Sequence, residues 1–241
     1  MAIRAERIVY ALARDIVSDV VDAKVRPGEV LEAEADMMRR YDVSRGSLRE
    51  SLRILEALGF IHLKPGPRGG PVVLKPDVSQ FSAIATLYYQ RISATYFELL
   101  EARRVIESAT ATLAAARCTP EDAERMREHL AAASVADPSD DGAFKAVGHG
   151  FHILVSDIAQ NRVLGLMTRS CTDVVETQTS RHLYPAERRR ASVLEVHERV
   201  GRAIIEGDVR TAESAMAEHM QDYVSEAAAR YGSVMDQVVH W

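Results

Sequence analysis

The sequence predicts a mainly α protein in two parts: three helices and a short β-hairpin at the N-terminal end, then an all-α antiparallel helical bundle. Three observations carry that expectation. Apolar residues recur at helical spacing through most of the 241 residues. One stretch, FIHLKPGPRGGPVVLKP from Phe60 to Pro76, combines short β-branched runs with Gly and Pro turn residues. Alanine is abundant and aromatic residues make up only 6%, a composition that favours packed helices over sheets.

Taken in order, residues 5–23 carry Ile8, Leu12, Ile16 and Val20 four apart, with charges between them, and read as the first helix. Pro27-Gly28 separates it from a short second helix, Leu31 to Tyr41. After the turn at Asp42-Val43 comes YDVSRGSLRESLRILEALGF, Tyr41 to Phe60. There Leu48, Leu52, Leu55 and Leu58 form one stripe and Arg45, Arg49 and Arg53 another. Ser44 is a good N-cap, which leaves Arg45, Gly46 and Ser47 in a first turn whose backbone N–H groups attract phosphate. Three arginines four apart repel one another unless carboxylates or an anionic partner lie against them. Glu50 and Glu56 can serve Arg53, and do less for the other two.

Gly59 is placed to end that helix, and the hairpin behind it has the acid-free tip Lys64-Pro65-Gly66-Pro67-Arg68-Gly69-Gly70. Helix, helix, tight turn, helix and basic hairpin is the order of a winged helix-turn-helix, whose third helix fits a major groove. The charge agrees: residues 1–76 hold 13 Lys or Arg and are net positive, whereas the whole chain is at −5. An acidic balance therefore does not exclude a DNA partner.

Lys75-Pro76-Asp77 reads as a linker between domains at 1–76 and 77–241, each long enough for its own core. Seven helices are expected beyond it: Val78 to Gln90, Tyr96 to Cys118, Thr119 to Val135, one opened by Asp137-Pro138 and reaching Ala159, one from Asn161 toward Ser180, one opened by Pro185, and one after Gly207-Asp208 ending near Tyr231. Thr119-Pro120-Glu121-Asp122 is a strong start, with an N-cap, a proline at the first helical position and acids in the first turn.

Cys118 and Cys171 are far apart and outside any CxxC pattern, so free thiols in a reducing compartment are expected. The N-terminus is too charged for a signal peptide, and the longest uncharged run, between Asp77 and Arg91, is too short to span a bilayer. A cytoplasmic protein without membrane segments is the expectation.

Three histidines, His152, His197 and His219, lie among apolar neighbours on three of the expected bundle helices. Neutral imidazoles converging on a bundle axis could hold zinc or nickel, although a lone buried histidine is more often a satisfied core residue. His62, His129, His182 and His240 read as surface residues, and Asn161 as a helix cap.

Residues 6–75 resemble the DNA-binding domain of the GntR family of bacterial transcription regulators. The resemblance runs through Leu31-Glu32-Ala33-Glu34, through Val43-Ser44-Arg45-Gly46-Ser47-Leu48-Arg49-Glu50-Ser51-Leu52-Arg53, and through Leu55-Glu56-Ala57-Leu58-Gly59-Phe60. It implies that Arg45 and Arg49 contact bases or phosphates and that Ser44 and Ser47 contact phosphate. Gly66 would let the wing, with Lys64 and Arg68, enter the minor groove. Where the family commonly has an arginine this chain has Ala35, so one DNA contact is expected to be missing.

Residues 96–225 resemble the ligand-binding domain of the FadR-type branch, the FCD domain, through Glu101-Ala-Arg103-Arg104-Val-Ile-Glu107, Gly150-Phe151-His152, Asn161, Glu195-Val-His197, Ala203-Ile-Ile-Glu206-Gly207-Asp208, Met216 and His219. Many members bind a divalent metal through one aspartate and three histidines. Here the histidines match, but Gly148 stands at the aspartate position. Three outcomes stay open: a histidine-only site with a position free for an effector carboxylate, a site completed by His149, or a metal-free pocket.

The resemblance implies a homodimer on a palindromic double-stranded DNA operator, more often a repressor, released by a small carboxylate or acyl effector. Arg103 is the candidate effector contact; its alternative is a salt bridge to Glu107, one turn away. The competing reading is a three-histidine metal-dependent hydrolase or hydratase, or a non-catalytic metal or lipid carrier. A basic winged domain would have no use in either.

Overall fold

The computed structural model describes residues 2–66, 69–135, 137, 140–179 and 187–240. Two compact units divide the chain, Met1–Gln80 and Phe81–Trp241.

The first unit begins with α1 (Ala2–Asp22), α2 (Glu34–Arg40) and α3 (Arg45–Ala57). An antiparallel pair follows, β1 (Ile61–Lys64) and β2 (Gly70–Val73), with Ile61 opposite Val73 and Lys64 opposite Gly70. Leu12, Ile16, Val20, Met37, Leu48, Leu52, Leu55, Ile61 and Val73 form its core. Burial of each such large side chain contributes about 1.5–3 kcal/mol, so one face of every element is spent on the core and the other is left to solvent.

Three sequence expectations are corrected in this unit. Ile8 is exposed, and Val9 takes the buried place at the start of the α1 stripe. Leu58 is also exposed, because α3 ends at Ala57 and its last turn rotates residue 58 out of the stripe; Ser51 occupies the buried face instead. The second helix is shorter than the pattern implies. Residues 29–31 run along β2, with Leu31 N donating to Pro71 O at 2.8 Å and Val30 bridged to Val72. The two-stranded wing is thereby braced along β2 by the segment before α2, which answers the marginal stability of a lone hairpin.

The second unit contains α4 from Phe81 on (the helix spans Val78–Arg91), α5 (Tyr96–Arg117), α6 (Pro120–Ser134), α7 (Asp141–Ile158), α8 (Arg162–Thr179), α9 (Glu187–Glu206) and α10 (Val209–Met235). Helix starts are set locally. Thr95 and Thr119 close capping boxes with Glu98 and Asp122, Asn161 Oδ1 accepts from Val163 N and Leu164 N, and Asp208 accepts from Thr211 N. The α7 cap is Asp140, which accepts from Gly142 N and Ala143 N, and not Asp137 as the sequence suggested. The expected helix opening at Pro185 and the surface residue His182 lie outside the described residues. α10 continues past Tyr231, where φ −132° and ψ 31° mark a kink, to Met235.

Two apolar clusters fill the bundle. One gathers Ala111, Ala114, Met126, Phe151, Leu154, Ile158, Val200, Ile204, Met216 and Met220; the other gathers Tyr96, Leu99, Leu100, Val174, Val175, Val224 and Met235. Among the described residues no helix is long and apolar enough to cross a membrane.

Candidate functional site

In the first unit, Ser44 caps α3 from an extended backbone, its Oγ accepting from Ser47 N at 3.2 Å and lying 3.0 Å from Ser47 Oγ. Ser51 Oγ donates to Val9 O at 2.8 Å, tying α3 to α1 beneath the buried stripe. That anchoring turns Arg45, Arg49 and Arg53 outward as an exposed row. Arg53 stands 3.9 Å from Glu50, and Arg49 Nε donates to Glu34 Oε2 on α2 at 3.1 Å. Arg45 has no ion-pair partner among the described residues. Lys64 and Gly66 are exposed at the wing, and Gly66 has a positive φ of 110°, which glycine adopts without strain. Arg68 lies outside the described residues. Ala35 is exposed in the first turn of α2.

In the second unit, His152 on α7, His197 on α9 and His219 on α10 are all buried, and one ring nitrogen from each falls within 4.8 Å of the others. His197 Nε2 and His219 Nε2 are 3.1 Å apart. Two nitrogens on one tetrahedral zinc ion, each about 2.0–2.1 Å from it, would be roughly 3.3 Å apart, so this pair is spaced for a shared ion. The rings cannot slide freely: Phe151 stacks on His197 at 4.1 Å and 12°, and His152 stands edge-on to His197 at 5.1 Å.

Burial, reinforced by His219 and His152, drives the His197 pKa well below the ordinary imidazole value. Burial and His152 bring His219 down to about 3. Both rings are therefore neutral at physiological pH, the state that binds metal.

A carboxylate that the sequence pattern did not assign to this cluster completes its surroundings. Glu107 on α5 is bonded to His152 Nδ1 and accepts from Arg103 Nε at 2.5 Å. Burial alone would raise the Glu107 pKa, but Arg103 and His152 more than offset it and hold the carboxyl at about 2. An ionised Glu107 fixes Nδ1 of His152 as the donor and leaves Nε2 as the ligand atom. The guanidinium of Arg103 is buried, 5.6 Å from the Tyr223 ring centre. The one-turn salt bridge to Glu107 is thus formed in the structure. The sequence signal for Glu107 was its spacing from Arg103, which hid its second partner.

His149 is not among the three converging donors. Gly148, one turn before His152, faces open space: a Cβ there would meet only Phe144 Cζ at 4.0 Å. His129 is not a surface residue. Half-buried, its Nε2 lies 3.0 Å from Val147 O, and its Cε1 is 3.1 Å from where a Cβ on Gly150 would be, so that glycine lets α6 and α7 approach. His62 and His240 are exposed.

Comparison with known proteins places both units. The family model for the FCD domain matches residues 98–222, and that for bacterial regulatory proteins of the gntR family matches residues 5–69. The chain is 27% identical over 205 residues to the HTH-type transcriptional regulator LutR of Bacillus subtilis, covering 83% of this chain and 92% of LutR. It is 29% identical over 239 residues to the Uxu operon transcriptional regulator of Escherichia coli, covering 95% and 88%. A solved GntR structure from Streptococcus agalactiae superposes with a TM-score of 0.68 at 19% identity, over 90% of this chain and 99% of that one, which speaks for the fold alone.

Proposed function

Since the chain belongs to the gntR family of bacterial transcriptional regulators, of the FadR type with an FCD effector-binding domain, and is a DNA-binding regulator and not an enzyme, we propose how it does that work. A homodimer sets two copies of α3 on a palindromic operator, with Ser44, Arg45, Ser47 and Arg49 in the major groove and Lys64, Gly66 and Arg68 of the wing beside it. Without an arginine at position 35, Arg45 and the wing carry the larger share of the grip.

The observation that supports effector control is the convergence of His152, His197 and His219 around two nitrogens 3.1 Å apart. These three side chains hold a divalent ion of the zinc or nickel kind. Bound there, the ion supplies a Lewis-acidic position for a carboxylate oxygen. Glu107 orients His152, and Arg103 places a buried positive charge beside the cluster, favouring an anionic effector. A small carboxylate or acyl compound that binds one DNA-competence state more tightly shifts the population toward it. The direction proposed is repression relieved by the effector.

Gel shifts on DNA upstream of the protein's own coding region test this reading. Wild type binds a symmetric site and Arg45→Ala loses most of that binding; adding the cognate carboxylate weakens the wild-type complex. Binding that survives Arg45→Ala unchanged overturns the assignment of α3. A protein that, isolated without an affinity tag of histidines, carries no zinc or nickel and takes up none overturns the metal reading.

A further inference from the structure

Mid-helix threonines in this bundle share a habit. Thr86, Thr110, Thr112 and Thr172 each donate a hydrogen bond to the carbonyl four residues back, at 2.8, 2.7, 3.0 and 2.8 Å, which satisfies the hydroxyl within its own helix. Thr168 on α8 does not. It is 1% exposed, and its Oγ1 has no hydrogen-bond partner among the described residues. A hydroxyl enclosed in this way is unfavourable unless something supplies the missing bond.

Helix register shows where that hydroxyl stands. α7 and α8 are consecutive antiparallel helices, and a Cβ on Gly165 would lie 3.8 Å from Ser156 O, so Ser156 is level with Gly165. One turn away along both helices, His152 is level with residues 168–169. From the other side, Cys171 on α8 lies within electrostatic reach of Arg103 and Glu107 on α5, and Thr168 is one turn from Cys171. Thr168 therefore stands at the level of the His152 and Glu107 pair, where α5, α7 and α8 meet.

We propose that Thr168 is a specificity residue of the effector site: its hydroxyl bonds a hydroxyl adjacent to the effector's carboxylate, so the site selects 2-hydroxy acids over the corresponding unsubstituted acids. This rests on the carboxylate reading given above. The histidine cluster and Arg103 take the acid group, and Thr168 takes the neighbouring oxygen, completing its own bond as it does so. A site built to bond a ligand hydroxyl rejects the analogue lacking it because the protein group is then left unpaired.

Calorimetric titration of the full-length protein, with zinc added, against three pairs of acids tests this: glycolate and acetate, lactate and propionate, malate and succinate. In wild type, the hydroxy acid of the responding pair binds roughly tenfold tighter than its partner. Thr168→Val removes the preference, binding both members like the weaker one, and Thr168→Ser keeps it. Thr168→Val also melts at or above the wild-type temperature without ligand, since a hydroxyl with no partner is removed. Equal binding of both members by wild type, a preference that persists in Thr168→Val, or a ligand-free Thr168→Val that melts lower overturns the role of Thr168 and leaves the carboxylate site standing. Absence of binding by every acid overturns the carboxylate reading itself, and the inference with it.

Discussion

The Glu107 carboxylate on α5 accepts the Nδ1 proton of His152 on α7, and by doing so decides which nitrogen of that ring faces His197 and His219. Arg103 holds the same carboxylate from the other side. One acidic residue thus fixes a ligand atom and anchors the Nε side of a buried guanidinium. Glu107→Gln is expected to weaken zinc binding about 10–100-fold, the usual effect of removing a partner that orients a metal-binding histidine. It also leaves Arg103 buried without a counter-charge, at a cost of about 3–5 kcal/mol of stability. Zinc competition titrations and urea melts measure the two effects separately; a variant with unchanged zinc affinity refutes the orienting role.

Gly148→Asp should strengthen the metal site. The position is one helical turn from His152, and a Cβ there meets only Phe144 Cζ at 4.0 Å, so a side chain can start from this position without a clash. The expected outcome is at least a tenfold gain in zinc affinity, since both a ligand and a negative charge are supplied. His197→Ala is expected to abolish stoichiometric metal in either background.

The metal-free protein should lose stability as the solution is acidified from neutral. In an unfolded chain histidine titrates near 6.5, whereas His219 is lowered to about 3 and His197 is lowered well below its ordinary value. The unfolded chain therefore takes up protons first. Stability is complete above about pH 6.5 and declines below it, by at most about 1.4 kcal/mol per pH unit for each ring. Glu107, held at about 2, contributes stability above its unfolded range that is lost as pH falls through 2. Urea melts at stepped pH values check this, and His219→Gln should flatten the curve between neutral and pH 5.

Arg49 is bonded to Glu34 at 3.1 Å before any DNA arrives, so binding must exchange one partner for another. Arg49→Ala is expected to weaken operator binding by about 1–3 kcal/mol if the residue reads a base; loss of a phosphate contact alone would weaken all sequences alike and lower the salt slope by about one. Glu34→Gln, which frees Arg49, should leave affinity equal or higher. Fluorescence anisotropy at several salt concentrations separates these outcomes.

What could be read from the sequence followed the range of the interaction. The caps at Ser44, Thr119 and Asn161 involve residues two or three apart, and each stands where its pattern placed it. The α7 cap was misplaced because Asp137 and Asp140 both fit the local signal, and only the backbone chooses between them. Leu58 was misplaced because a periodic stripe does not reveal where its helix stops. The extended segment before α2 depends on its bridge to Val72, some forty residues on, which no local pattern encodes. The histidines were legible as candidates, but their meeting was not, and Glu107 was masked by its nearer partner.

The caps and the histidine cluster also differ in when they can form. A capped helix start needs only its own first turn, so α5, α6, α7 and α10 can begin independently of one another. The cluster joins residues 45 apart at His152 and Glu107 and 22 apart at His197 and His219, drawn from four helices. Contacts of such sequence separation close late, after the intervening chain is ordered. A nascent or partly unfolded copy therefore offers no assembled ligand set. Occupancy of the site reports that these four helices have come together, and any response to an effector is confined to chains in which they have.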